Sequence, residues 1–233
     1  MIKYLIFLLS ISTTLSAQIM LPAYQGIQYT SSSSYAEGSV FCASGATTVV
    51  AVINSSTNKT WMDRNLGASQ VATSSTDADS YGDLYQWGRG SDGHQCRTSV
   101  TTATLSSTDV PGNANFILAS SDWRSPQNTN LWLGVNNPCP SGYRLPTDAE
   151  WDAERLSWSS NNAAGAFASP LKLPRAGFRN SSNGSLEVVG LTSYIWSSTV
   201  SGTHSRALLF YCCDSYMYSE FRGSGFSVRC IKD

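Results

Sequence analysis

Charge is scarce in this chain. Asp, Glu, Lys and Arg make up 13% of its 233 residues, about half the usual quarter. The formal net charge is −1, so the basic footprint that tracks a phosphate backbone is missing and nucleic acid is excluded as a partner. Histidine is scarcer still: His94 and His204 are the only two. None of the six cysteines forms a CxxC pair or has a histidine at zinc-ligand spacing, which argues against a zinc site. After the N-terminus no apolar run is long enough to cross a bilayer, so the mature chain is expected to have no transmembrane segment. Low charge does not mean disorder here. Seven Trp and eleven Tyr supply the apolar area of a sizeable core. Ser, Thr, Asn and Gly take the place of charge, as in irregular, loop-rich extracellular proteins.

The first residues fit that compartment. "MIKYLIFLLSISTTLSAQ" carries one Lys3, an apolar run from Tyr4 to Ile11 and small residues before "LSAQ". It reads as a secretory leader, residues 1–17, cleaved after Ala17, and the apolar run is too short for an anchor. The expected location is secreted or cell-surface. In an oxidising compartment Cys42, Cys96, Cys139, Cys212, Cys213 and Cys230 default to disulfides, with connectivity left open by the spacing.

Residues 18–45 are Ser- and Tyr-rich and read as an extension or linker; one domain is expected over 46–233. Thr47–Ile53, a turn at Asn54–Asn58 and Lys59–Asp63 read as a hairpin. "DADSYGDLYQWGRG" reads as a short helix or an irregular loop, and residues 91–137 as long loops. In "CPSGYRLPTDAEWDAERLSW", Thr147 and Glu150 have capping-box spacing, with Pro146 and Trp151 at the staple positions. A helix is predicted over Asp148–Trp158, turning Trp151, Leu156 and Trp158 to the core. From Leu171 on the pattern is strands and turns. The fold class is α+β, with short strands, one or two helices and long irregular loops.

One stretch resists this reading. "FYCCDSYMYSEF", Phe210–Phe221, looks like neither strand, helix nor enzyme motif, although both flanks are orderly. Its plain interpretation is a Tyr-rich edge strand or hairpin with a structural disulfide.

Six phrases in order, "WMDRNLGA", "YQWGR", "CPSGYRLPTDAEW", "LPRAGFR", "YIWSST" and "GFSVRCIKD", resemble the Fibrobacter succinogenes major paralogous domain, a family with a C-type-lectin-like fold. The matches span roughly residues 47–233. The fold is shared more distantly with formylglycine-generating enzymes, which carry a phrase similar to "RLPTDAEW". Part of the family resembles the variable target proteins of diversity-generating retroelements, in which a C-terminal block is mutagenised at template adenines between fixed flanks. The resemblance places such a block at about 199–226. His204, Tyr211, Asp214, Tyr216, Tyr218 and Phe221 are then readings of Asn codons, and Cys212 and Cys213 of Ser codons. Met217 is then a fixed spacer, and Glu220 does not fit because its codon ends in a purine. Arg206, Leu208, Ser219 and Ser224 complete the implied ligand-binding surface, with all variable side chains on one solvent face.

The resemblance also implies a Cys139–Cys230 framework disulfide, since both lie in its phrases. Cys42 and Cys96 are left for each other or free. It implies no catalytic residue, no metal and no cofactor. The EPN- or QPD-type loop and WND phrase of calcium-dependent sugar binders do not occur. Asp77–Asp83 resembles a calcium loop only until its twelfth position, which is Gly88 rather than Glu. The expected function is ligand binding, to a protein or glycan on another cell, phage or host surface. The alternatives are a fixed structural or adhesive envelope protein and, less favoured, a formylglycine-generating-type enzyme using Cys212 and Cys213.

Overall fold

A computed structural model of the chain describes residues 34–42, 45–134 and 136–233. The leader and most of the segment up to residue 45 lie outside the described residues.

The expected hairpin forms from Ala51–Asn54 (β1) and Lys59–Met62 (β2), with Ala51 opposite Met62 and Asn54 opposite Lys59. Its turn rests on two asparagines. Asn54 Oδ1 accepts the Ser56 N–H at 2.9 Å, and Asn58 takes the left-handed conformation at φ 52°, which Asn tolerates. Pairing begins at Ala51, later than the expected Thr47. The acidic phrase that follows makes a single 3-10 turn, Ala78–Ser80, capped by Asp77, and then Tyr85–Gln86 (β3). The loop-rich stretch holds a short parallel pair, Thr101–Thr102 (β4) with Phe116–Ile117 (β5), and a 3-10 turn at Leu131–Leu133. Tyr143–Arg144 (β6) leads into the helix.

The capping box is present. Thr147 Oγ1 accepts the Glu150 N–H at 3.2 Å and Glu150 Oε2 accepts the Thr147 N–H at 2.9 Å. The helix α1 runs Asp148–Leu156, two residues short of the expected end, with Ser157 as its C-cap. Trp151 and Trp158 are buried, but Leu156 is 69% exposed. At about 100° per residue, five residues carry Leu156 some 140° around the helix from Trp151; Glu154 takes the inward position instead. A second helix, Ala163–Ala168 (α2), is capped by Asn162, whose Oδ1 accepts the Ala164 and Gly165 N–H groups.

The C-terminal strands are Phe178–Arg179 (β7), Leu186–Glu187 (β8), Ser193–Ser201 (β9), His204–Phe210 (β10), Ser215–Phe221 (β11), Gly225–Phe226 (β12) and Ile231–Lys232 (β13). They build antiparallel sheets in the orders β1-β2-β13-β6, β11-β10-β9 and β3-β12-β7-β8. With two helices among these sheets the class is α+β. The long β9–β10 pair lies between two cores, because alternate residues point to opposite faces. Ile195, Leu208 and Phe210 join Trp61, Trp151 and Trp158 on one side. Trp196 and Ala207 join Trp87, Trp123, Phe226 and Val228 on the other.

Cys42 bonds Cys96 and Cys139 bonds Cys230, with Cα–Cα distances of 5.5 and 5.9 Å, both ordinary for a disulfide. Cys212 bonds its neighbour Cys213. The framework arginines work separately. Arg229 is buried and donates to Asn65 Oδ1, Met62 O and Leu171 O; Arg179 stacks over Phe116; Arg144 forks onto Glu150. No helix among the described residues is long and apolar enough to cross a membrane.

Candidate binding face

The block Phe210–Phe221 forms the hairpin that its plain interpretation expected, an edge strand and a tight turn. β11 pairs with β10 over its whole length, from Phe221 opposite His204 to Ser215 opposite Phe210. Tyr211 and Asp214 close the turn, with the Tyr211 N–H donating to Asp214 O at 3.0 Å. Cys212 and Cys213 are its two exposed central residues. A neighbouring loop fixes this turn. Asn161 Nδ2 donates to Asp214 Oδ1 at 2.7 Å, Ser215 Oγ donates to Asn161 Oδ1 at 2.6 Å, and Arg155 Nη1 donates to Ser215 O at 3.3 Å. The Ala163 N–H donates to Tyr211 O at 2.8 Å.

The other end of the hairpin is fixed by Arg222, whose side chain is fully buried. Its Nε donates to Ser205 Oγ at 3.1 Å and its Nη2 to Gly202 O at 3.1 Å and His204 O at 3.3 Å. The guanidinium lies 4.7 Å from the Trp87 ring centre. It thereby holds the Gly202 turn, where φ is 58°.

Residues directly opposite on paired strands share a face, so the register sorts the side chains. His204, Arg206, Leu208 and Phe210 share a face with Phe221, Ser219, Met217 and Ser215. This is the α1 side. Arg206 Nε donates to Asp148 Oδ1 at 2.9 Å and Nη1 to Ser219 Oγ at 3.0 Å. The His204 and Phe221 rings lie 4.5 Å apart. Met217 is partly buried against the helix-side core. The other face carries Tyr216, Tyr218 and Glu220, with Tyr194 arriving from β9. Tyr218 lies 6.3 Å from Tyr216 and 6.5 Å from Tyr194, edge to face. Tyr194 continues the row to Phe178 at 5.1 Å. Tyr216 and Tyr218 are each 39% exposed.

Two expectations are corrected. The side chains of the block do not share one solvent face: the alternation splits them between the α1 side, the tyrosine side and the turn. Leu208 and Ser224 are not on the surface. Leu208 is fully buried, because its strand position points into the helix-side core, and Ser224 is 4% exposed. Arg206, Ser219, Asp214 and His204 are half-buried, and Phe221 is exposed.

Tyr194 and Glu220 were missing from the expected surface. The period-two row Tyr216, Tyr218, Glu220 is the signal that places Glu220 there; codon reasoning set it aside. Electrostatics tie it to the row. Burial pushes the Tyr194 phenol up to about 12, and Glu220, Tyr218, Tyr216 and Glu187 add to the rise. Burial likewise raises Tyr216, with Tyr211, Tyr218 and Asp214 contributing.

Two concavities of the described residues are lined by other elements. A cavity of about 400 Å³ is lined by Trp87, Trp132, Ser198 and Val200. A groove of about 540 Å³ runs between the β1–β2 turn and α1. No side chain from 204 to 221 lines either one. The chain matches no family model, no curated protein and no solved structure.

Proposed function

We propose that this chain is a secreted or surface-displayed binding protein on a C-type-lectin-like scaffold, with the β10–β11 hairpin as its diversified receptor site. One observation carries the reading. His204, Tyr211, Cys212, Cys213, Asp214, Tyr216, Tyr218 and Phe221, all reachable from Asn or Ser codons, are exposed or half-exposed. Met217, which such codons cannot encode, turns toward the core. Change at the first set leaves the core untouched, which is how variable binding residues sit on a rigid scaffold. Arg222, Arg155 and the Asn161 bond to Ser215 O support it further, since they hold backbone carbonyls of the hairpin independently of the varying side chains.

Tyrosine gives wide amphipathic contact at low entropy cost, and short polar residues give adaptable hydrogen bonds. A tyrosine-bearing strand face suits a macromolecular ligand, a protein or glycan on another cell, phage or host surface. Leu208 and Ser224 belong to the framework in this reading. No catalysis is assigned in this reading, in which Cys212 and Cys213 are two more exposed positions of the turn.

The test is genomic. A near-copy of the DNA encoding about Thr199 to Asp233 is expected beside a reverse-transcriptase gene, differing only at template adenines. A genome with neither element would overturn diversification and leave a fixed adhesive envelope protein.

A further inference from the structure

The carboxylates around the tyrosine row have no cationic partner. Glu220 Oε1 accepts the Phe221 N–H at 2.7 Å. Glu187 Oε1 accepts from Asn180 at 2.7 Å and Ser185 at 3.3 Å. Asp214 Oδ1 accepts from Asn161 and from the Ser215 N–H. Among the described residues none of the three is in an ion pair, whereas Asp148, Glu150 and Asp152 on α1 each hold an arginine. Besides burial, the groups that raise the Tyr194 phenol are Glu220, Glu187 and the phenols of Tyr218 and Tyr216. The face is thus electron-rich rings bordered by unneutralised carboxylates, complementary to a cation lying over a ring.

The adjoining strand edge is open. In an antiparallel ladder, residues alternate between bonding the partner strand and facing away from it. Tyr211 bonds Asp214 across the turn, so the even-numbered residues of β11 bond β10 and the odd-numbered ones face outward. At the ends these outward groups are already used: Ser215 O accepts from Arg155 and Asn161, and the Phe221 N–H donates to Glu220. Between them Met217 and Ser219 present backbone N–H and C=O groups, and no strand among the described residues pairs there. Exposed edges of this kind accept an added strand.

We infer that the ligand of this face is a basic polypeptide segment in extended conformation. It pairs its backbone with Met217 and Ser219 and lays a lysine or arginine over Tyr216 and Tyr218 against Glu220. This rests on the hairpin being the receptor site and names the ligand chemistry of this particular version of it.

The experiment titrates the disulfide-intact protein with a capped octapeptide of alternating lysine and threonine. Its glutamate–threonine counterpart and tetramethylammonium chloride are run in parallel, with backbone amide resonances recorded. The lysine peptide is expected to bind, to weaken with added salt, and to shift the amides of Met217 and Ser219. Glu220→Gln and Tyr218→Ser should each weaken it on the order of five-fold. Binding by neither peptide, or equal binding by both, overturns the inference. So does tetramethylammonium binding that matches the peptide without moving the Met217 and Ser219 amides. The wild-type peptide comparison decides the matter even where a variant folds poorly. A template repeat in the genome together with no lysine-peptide binding overturns the basic ligand and spares the diversified site.

Discussion

Leu208 and Tyr218 are both apolar-bodied residues of one hairpin, and their faces separate them. Leu208 sits with Phe210, Trp151 and Ile195 in a closed core. Tyr218 covers Ala207 from outside and keeps 39% of its surface in solvent. Leu208→Ala removes buried methyl groups and leaves a cavity, at a cost of about 2–5 kcal/mol. Tyr218→Ala gives up only part of a side chain's burial, about 1 kcal/mol. Urea denaturation of the two variants should rank them in that order. Equal losses would make the tyrosine a core residue and remove the basis for a tolerant surface. Arg222 matters for the same reason: its hydrogen bonds keep the hairpin end in place whatever His204 and Phe221 become.

At the scale of elements, legibility followed local chemistry. The β1–β2 turn and the α1 N-terminus were readable because Asn54, Asn58, Thr147 and Glu150 act on their own backbone neighbours. Leu156 was misplaced because an apolar residue on a nine-residue helix satisfies pattern matching without facing the core. β11 was legible only through its plain interpretation as a Tyr-rich edge strand or hairpin, because Ser215 and Ser219 point inward while Tyr216 and Tyr218 point outward, so polarity does not alternate with facing. Its register with β10, set over long range, decides what each side chain meets. The capping box carries its own prediction. The Arg144 hydrogen bond, then Thr147, hold Glu150 down to about 2 against its burial. A depressed carboxylate contributes stability above its unfolded value, about 4.3, and loses it as pH falls toward 2. Glu150→Gln should therefore flatten the acid loss between those values, read by thermal melts followed at the helical dichroism band. An unchanged acid slope would show that the Glu150 carboxylate contributes nothing to the acid loss.

Over the whole molecule, two buried groups pull stability in opposite directions across the same pH range. His94 is fully buried; its Nε2 accepts the Gln86 N–H at 3.0 Å, and its Nδ1 lies 2.6 Å from Asp92 Oδ1. That pattern fixes a neutral ring with the proton on Nδ1. Burial, helped by Arg89, lowers its pKa to about 4. The unfolded chain takes up a proton below about 6.5, so the contribution of His94 is present above that value and is lost as pH falls toward 4. Asp83 behaves oppositely. Burial outweighs Arg97 and lifts its carboxyl to about 7. The native state then keeps a proton that the unfolded chain releases above about 3.9, and this contribution fades as pH rises to 7. Between about 4 and 6.5 the two slopes offset each other, each bounded by about 1.4 kcal/mol per pH unit. The wild-type urea midpoint should therefore rise less from pH 4.5 to 6.5 than that of a variant lacking the Asp83 carboxyl. Asp83→Asn removes one slope and exposes the other, so its midpoint should rise from pH 4.5 to 6.5 and exceed wild type at the higher value. If the variant instead tracks wild type at both values, Asp83 is ionised in the native protein and Arg97 outweighs its burial.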